Sequence, residues 1–209
     1  YMAGIVIVDY GMGNLHSVSK AFSHIKARVK VSDKPSDIEK ASGIVLPGVG
    51  AFGDAVKQLK KRKLYMPVKK AAAAGKPVLG ICLGMQLLMA QSEEFGKHKG
   101  FGFIKGKVVR FKGKMKIPHM GWNEMRVIDK KNPVIKGVKD SLVYFVHSYY
   151  TVPEDKKDML CETDYEGVKF ASAVSRGNIY GFQFHPEKSG EKMLKIYKNF
   201  NKLVENQER

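Results

Sequence analysis

Four short apolar, β-branched runs alternate with segments of helical periodicity in the first half of the chain. The runs are Gly4–Asp9, Arg28–Ser32, Gly43–Pro47 and Pro77–Ile81, and the helical segments lie over Asn14–Lys26, Ala51–Lys61 and Met66–Ala74, the first opened by an Asn cap. Alternation at this spacing predicts a parallel sheet with helices on both faces. After about residue 100 the pattern changes. Lys105–Phe111, Glu124–Ile128, Leu142–Tyr149, Met159–Tyr165, Val168–Ser175 and Ile179–His185 read as strands joined by Gly and Asn turns, which predicts antiparallel additions. A last helix over Gly190–Val204 carries Met193, Leu194, Tyr197, Phe200 and Leu203 at helical spacing, a stripe expected to pack in the core. The 209 residues show no repeat and no Pro/Ser linker, so a single domain over residues 2–205 is expected, with Tyr1 an added residue ahead of a native start at Met2.

Lys and Arg outnumber Asp and Glu by 37 to 20, a formal charge of +17, which excludes a neutral-surfaced protein. Such a surplus attracts acidic or phosphate-bearing partners. The lysines are scattered, and no helix-turn-helix, zinc-finger or RNA-binding aromatic signature accompanies them, so no nucleic-acid partner is expected. Two cysteines, Cys82 and Cys161, cannot build a multi-bridge secreted scaffold, which points to the cytoplasm. No apolar run approaches the roughly 18 residues that a membrane span needs, and Gly4–Asp9 is too short for a signal segment.

Gly80-Ile-Cys-Leu-Gly84 stands between a predicted strand and a helix expected over Leu83–Gln91. It matches a nucleophile elbow, in which small flanking residues permit a sharp strand-to-helix turn. Cys82 would project from that turn at the helix N-terminus, where free N–H groups favour a thiolate. A thiolate needs a proton carrier. In Gly181-Phe-Gln-Phe-His-Pro-Glu187, Pro186 biases His185 toward extended backbone, so His185 and Glu187 share a face. That spacing suits a nucleophile, base and orienting carboxylate. Pro47-Gly-Val-Gly50 after a predicted strand can offer backbone N–H groups to an oxyanion, with Leu83 N–H as a second donor. Tyr10-Gly-Met-Gly-Asn14 is a similar turn but lacks the third glycine of a dinucleotide fingerprint.

Gly80-Ile-Cys-Leu-Gly-Met-Gln86 with His185-Pro-Glu187 resembles the class I (triad) glutamine amidotransferases. Asp9–Asn14, Pro47–Phe52, Pro118-His-Met-Gly-Trp-Asn123, Val146–Tyr150 and His185–Ser189 extend the likeness over nearly the whole chain. They narrow it to the glutaminase subunits of imidazole glycerol phosphate synthases. The resemblance implies a flavodoxin-like α/β fold, a mostly parallel sheet flanked by helices with added antiparallel strands. It implies Cys82, His185 and Glu187 as catalytic residues and Val49, Gly50 and Leu83 as the oxyanion hole. Gln86, Glu94, Ser148 and Tyr149 would bind the substrate glutamine, with Gln86 on the Cys82 face of a helix. Glu94 would lie roughly 18 Å along a continuous helix from Cys82, so that helix must end or bend first. The implied partner is a (β/α)₈ cyclase subunit forming a heterodimer, met through Asn14, Trp122 and Lys188. No metal or organic cofactor is implied.

The motifs leave two alternatives open. One is a free-standing triad glutaminase serving a sugar-modifying or cofactor-synthesis synthase. The other is a non-catalytic or nucleic-acid-associated basic protein that kept the fold; the intact Cys82, His185 and Glu187 speak against lost activity.

Overall fold

The computed structural model describes residues 3–208; the junction of Tyr1 with Met2 lies outside the described residues. Strands β1 (Ala3–Val8), β2 (Val29–Ser32), β3 (Ala41–Leu46) and β4 (Val78–Ile81) pair in parallel, in the order β2-β1-β3-β4. Between them run helices α1 (Leu15–His24), α2 (Pro35–Lys40), α3 (Phe52–Lys61) and α4 (Tyr65–Ala73). The elbow helix α5 (Leu83–Leu87) follows β4, and then β5 (Met89–Ser92), β6 (His98–Lys99) and β7 (Ile104–Arg110). The second half supplies β8 (His119–Val127), β9 (Ser141–His147), β10 (Tyr149–Pro153), β11 (Met159–Tyr165), β12 (Val168–Arg176) and β13 (Ile179–Phe182), then α6 (Leu194–Gln207). β13 returns to pair in parallel with β4, which completes the five-strand order of a flavodoxin-like sheet. Beyond it β12, β10, β7, β5 and β6 continue the sheet, antiparallel except where β5 meets β7.

Both faces of the parallel centre are covered, so its strands are apolar throughout instead of alternating. Ile5 and Ile7 of β1 pack with Val18 and Phe22 of α1 and with Ile196, Tyr197 and Phe200 of α6. Val6 and Val8 face Ile38, Leu59, Val68 and Leu87 of α2 to α5. Asn14 caps α1 by accepting from the Ser17 N–H, and the α6 stripe is buried at Tyr197 and Phe200, as the sequence predicts.

Three local differences from the sequence reading have physical causes. Helix α2 went unread because its six residues bury Ile38 alone and carry no period. β8 begins at His119, five residues before the expected start, because its first half alternates His119, Gly121 and Asn123 inward with Met120 and Trp122 outward, and the outward positions are apolar too. The expected helix over Leu83–Gln91 ends at Leu87. Phe101 N–H donates to Leu87 O and Phe103 N–H to Leu88 O, so the helix's last carbonyls are taken by an incoming segment. Met89 onward then joins β7 as a strand. An all-buried run of this kind has no polar face from which its period could be read.

Candidate active site

Cys82 sits where β4 meets α5, with φ 55° and ψ −113°, a left-handed backbone seldom taken by a residue with a side chain. Its N–H donates to Phe182 O of β13 at 2.7 Å, while its carbonyl accepts from Met85 and Gln86. The two flanking glycines of the elbow are sterically required. A Cβ on Gly80 would meet the Gly84 carbonyl at 2.5 Å, and one on Gly84 would collide with the Leu46 carbonyl of β3. The turn therefore holds the sulfur at the C-terminal edge of the parallel strands, where open α/β sheets place their ligands.

His185 follows β13 and is 3% exposed. Its Nδ1 lies 2.8 Å from Glu187 Oε1, and Tyr197 of α6 donates its hydroxyl to Glu187 Oε2 at 2.7 Å. Its Nε2 is buried and makes no geometric hydrogen bond among the described residues. Burial works to lower the imidazole pKa, but the Cys82 sulfur and the Glu187 carboxylate outweigh it and push His185 up to about 9. Burial would likewise raise the Glu187 carboxyl, yet His185 and Tyr197 hold it below the usual carboxylate range. Glu187 and the Cys82 sulfur thus favour the protonated imidazole, and Glu187 favours its ionised form.

A cavity of about 470 Å³ opens over the sulfur. Val49, Gly50, Leu83, Gln86, Glu94, Ser148 and Tyr149 all line it with Cys82, so the expected oxyanion and substrate residues converge on one space. Their groups are not equally free. Gln86 Nε2 is committed to Tyr149 O at 2.9 Å and to Gln183 Oε1 at 3.0 Å. The Ser148 carbonyl accepts from Phe111 N–H. Glu94 Oε2 accepts from Phe52 N–H at 2.6 Å, which gives the first turn of α3 the cap its own N-cap residue, Ala51, cannot provide. Burial raises the Glu94 carboxyl, and that N–H opposes the rise. Because α5 stops at Leu87, Glu94 returns to the cavity by way of β5.

The sequence reading missed Arg110, Phe95, Gln183 and Tyr197. Arg110 and Phe95 enter the cavity wall from the end of β7 and from the turn after β5. Gln183 donates toward Cys82 Sγ at 3.8 Å. Its place two residues before His185 was the available signal, although the chain bends at Gln183 and Phe184 once β13 has ended at Phe182. Nothing in the spacing of Tyr197 marks its hydroxyl apart from its stripe.

Trp122 and Lys188 come to one surface, whereas Asn14 is engaged in capping α1. On the outer face of the β8–β9 hairpin, Trp122 (57% exposed) stands edge-on to Tyr144 with ring centroids 6.1 Å apart, between Met120 and Leu142. Lys188 Nζ lies 6.0 Å above the Tyr144 ring. Val146, paired with Met120, also lines the cavity, so this face borders the site. Among the described residues no helix is long and apolar enough to cross a membrane.

Comparison with known proteins agrees with this geometry. The family described as glutamine amidotransferase class-I matches residues 6–203. The imidazole glycerol phosphate synthase subunit HisH of Sulfurimonas denitrificans is 48% identical over 204 residues, covering 95% of this chain and 97% of that protein. HisH of Aquifex aeolicus is 47% identical over 202 residues, covering 96% and 97%. Among solved structures, PurLQS from Thermotoga maritima superposes with a TM-score of 0.74 at 21% identity, covering 96% of this chain and 98% of that one, a likeness of fold. The chain belongs to the class-I glutamine amidotransferases and, within them, to the family of HisH subunits of imidazole glycerol phosphate synthase.

Proposed function

We propose that this chain is the glutaminase subunit of an imidazole glycerol phosphate synthase, with Cys82, His185 and Glu187 as its triad. The observation that carries the reading is the strained Cys82 elbow opening into the cavity beside a buried His185–Glu187 pair. The Cys82 sulfur attacks the side-chain amide carbon of glutamine, and the carbonyl oxygen takes the negative charge. Backbone N–H groups of the Val49–Gly50 loop and Leu83 stabilise it. His185 gives its proton to the departing nitrogen, and ammonia leaves a glutamyl thioester. Water then adds, losing its proton to His185, and glutamate is released. Glu187 holds the imidazole through both steps, and Tyr197 holds Glu187.

The cavity suits an amino-acid substrate. Its wall carries one carboxylate, Glu94, and one guanidinium, Arg110, the pair of charges that a zwitterionic α-amino acid complements. The apolar hairpin face around Trp122, flanked by Lys188, is the proposed seat of the (β/α)₈ cyclase partner. Ammonia passes there to a phosphoribulosyl formimino aminoimidazole-carboxamide nucleotide, yielding imidazole glycerol phosphate and an aminoimidazole-carboxamide ribotide in the cytoplasm.

The test uses the assembled enzyme. Cys82→Ala should abolish glutamine-dependent synthesis while free ammonia at high pH still supports ring closure, because the thiol supplies nitrogen and takes no part in the cyclase step. Loss of both activities would refute the assignment.

A further inference from the structure

Gln183 is fully buried two residues before His185, and the steps above give it no role. Its side chain bridges Gln86 and the nucleophile. Gln86 Nε2 lies 3.0 Å from Gln183 Oε1, and Gln183 Nε2 lies 3.8 Å from Cys82 Sγ. Which end of each amide is nitrogen is decided from outside the pair. The Tyr149 carbonyl can only accept, so Gln86 must turn its NH₂ toward it, at 2.9 Å. The second hydrogen of that NH₂ meets Gln183, which must therefore present its oxygen. The Gln183 NH₂ is left facing sulfur.

The Tyr149 carbonyl is itself held. His147 Nδ1 lies 2.8 Å from it, and His147 Nε2 lies 3.0 Å from His119 Nδ1. An acceptor at one end fixes each neutral ring as a donor toward Tyr149, so the chain of hydrogen bonds runs one way, from His119 through His147 to Tyr149.

We infer that Gln183 is a further catalytic residue, whose amide N–H donates to the Cys82 sulfur and stabilises it whenever it carries negative charge. The role in turnover rests on the glutaminase reading; the donation itself does not. Attack requires the sulfur to shed its proton, and hydrolysis of the thioester returns negative charge to it. There, water adds to the carbonyl carbon and loses its proton to His185. The C–S bond breaks, its electron pair returns to sulfur, and glutamate departs. A neutral donor to an anionic acceptor is among the stronger hydrogen bonds, and Gln183 makes it from a fully buried position.

The experiment measures alkylation of Cys82 by iodoacetamide across pH in the full chain, read at Cys82 by peptide mass mapping. It needs neither glutamine nor partner. Cys161, the other cysteine, is buried and its thiol is pushed far up by that burial, so it stays out of the reaction. Gln183→Met keeps the volume and removes the donor. Its alkylation profile should move to higher pH by about one unit, a roughly tenfold loss of rate below the inflection. Gln183→Glu keeps an acceptor for Gln86 and sets a carboxylate against sulfur, so its profile should move further. A folded Gln183→Met protein with the wild-type profile would overturn the inference. If that variant does not fold, an unmoved profile in Gln183→Glu would do the same. Ammonia release by the wild-type complex tests the glutaminase reading separately.

Discussion

The Tyr10 hydroxyl donates to the Pro47 carbonyl at 2.6 Å, which ties the end of β1 to the start of the Pro47–Gly50 loop. Glu94 grips the far end of the same loop at Phe52 N–H. Between these two anchors lie Val49, 45% exposed, and Gly50, with φ +99°. The loop is thus fixed at both ends with a free peptide between, the geometry a switchable donor needs. Tyr10→Phe leaves a buried carbonyl unpaired and should cost about 1–3 kcal/mol of stability by urea denaturation. Unchanged stability would show that Pro47 finds another donor.

Gly50 holds a backbone conformation that a side chain strains. Gly50→Ala should favour the alternative orientation of the Val49–Gly50 peptide and withdraw one oxyanion donor. Glutaminase kcat in the complex should fall roughly 10²–10³-fold, with partner binding intact by calorimetry. Full activity would place the oxyanion donors elsewhere.

Glu187→Gln leaves an imidazole that is misoriented and less able to stay charged, and should lower kcat by roughly 10²–10⁴. His185→Ala removes the proton carrier and should cost more. Tyr197→Phe frees only Glu187 Oε2 and should cost least. Steady-state kinetics of the three variants checks the order; a reversed order would put Glu187 outside the triad.

Burial holds His119 down to about 4 and His147 down to about 3. The unfolded chain takes up protons below about pH 6.5 that the folded protein refuses. Stability should therefore be full above pH 6.5 and fall from there toward pH 4, by up to about 1.4 kcal/mol per pH unit for each ring. His119→Gln should flatten that slope in urea titrations at stepped pH. A slope unchanged by the substitution would assign the acid loss to other groups.

Trp122→Ala should weaken the cyclase complex by about 2 kcal/mol, some thirtyfold in Kd. Lys188→Glu should mainly slow association, an effect that shrinks as salt is added. Calorimetry and stopped-flow mixing separate the two; native values for both variants would move the interface off the hairpin.

The parallel centre and the Cys82 elbow were legible in the sequence because local rules determine them. Strands buried on both faces are apolar runs, and a turn as tight as Gly80–Gly84 admits little but glycine on either side of Cys82. His185 and Glu187 were legible as a pair two residues apart, but not through the extended backbone expected of them. Pro186–Lys188 form a 3₁₀ turn in which Lys188 N–H donates to His185 O, and the turn brings Glu187 Oε1 back to His185 Nδ1. Long-range partnerships were not legible. Glu94 caps a helix 42 residues earlier, and Gln86 reaches Gln183 across 97 residues. Neither contact leaves a trace in local spacing. The end of α5 at Leu87 belongs to the same class, since Phe101 and Phe103 dictate it from the far side of a turn.

The hairpin leaves Met120, Trp122 and Leu142 bare on a molecule of formal charge +17. In a crowded solution the two features oppose each other. Like charge holds copies apart at a distance, and the bare side chains hold them together once they touch. Added electrolyte shortens the reach of the repulsion from about 10 Å at 0.1 M to about 3 Å at 1 M and leaves the short-range attraction in place. A solitary copy is therefore best dispersed in dilute salt and clusters as ionic strength climbs, while a copy whose hairpin is covered stays monodisperse across the same range.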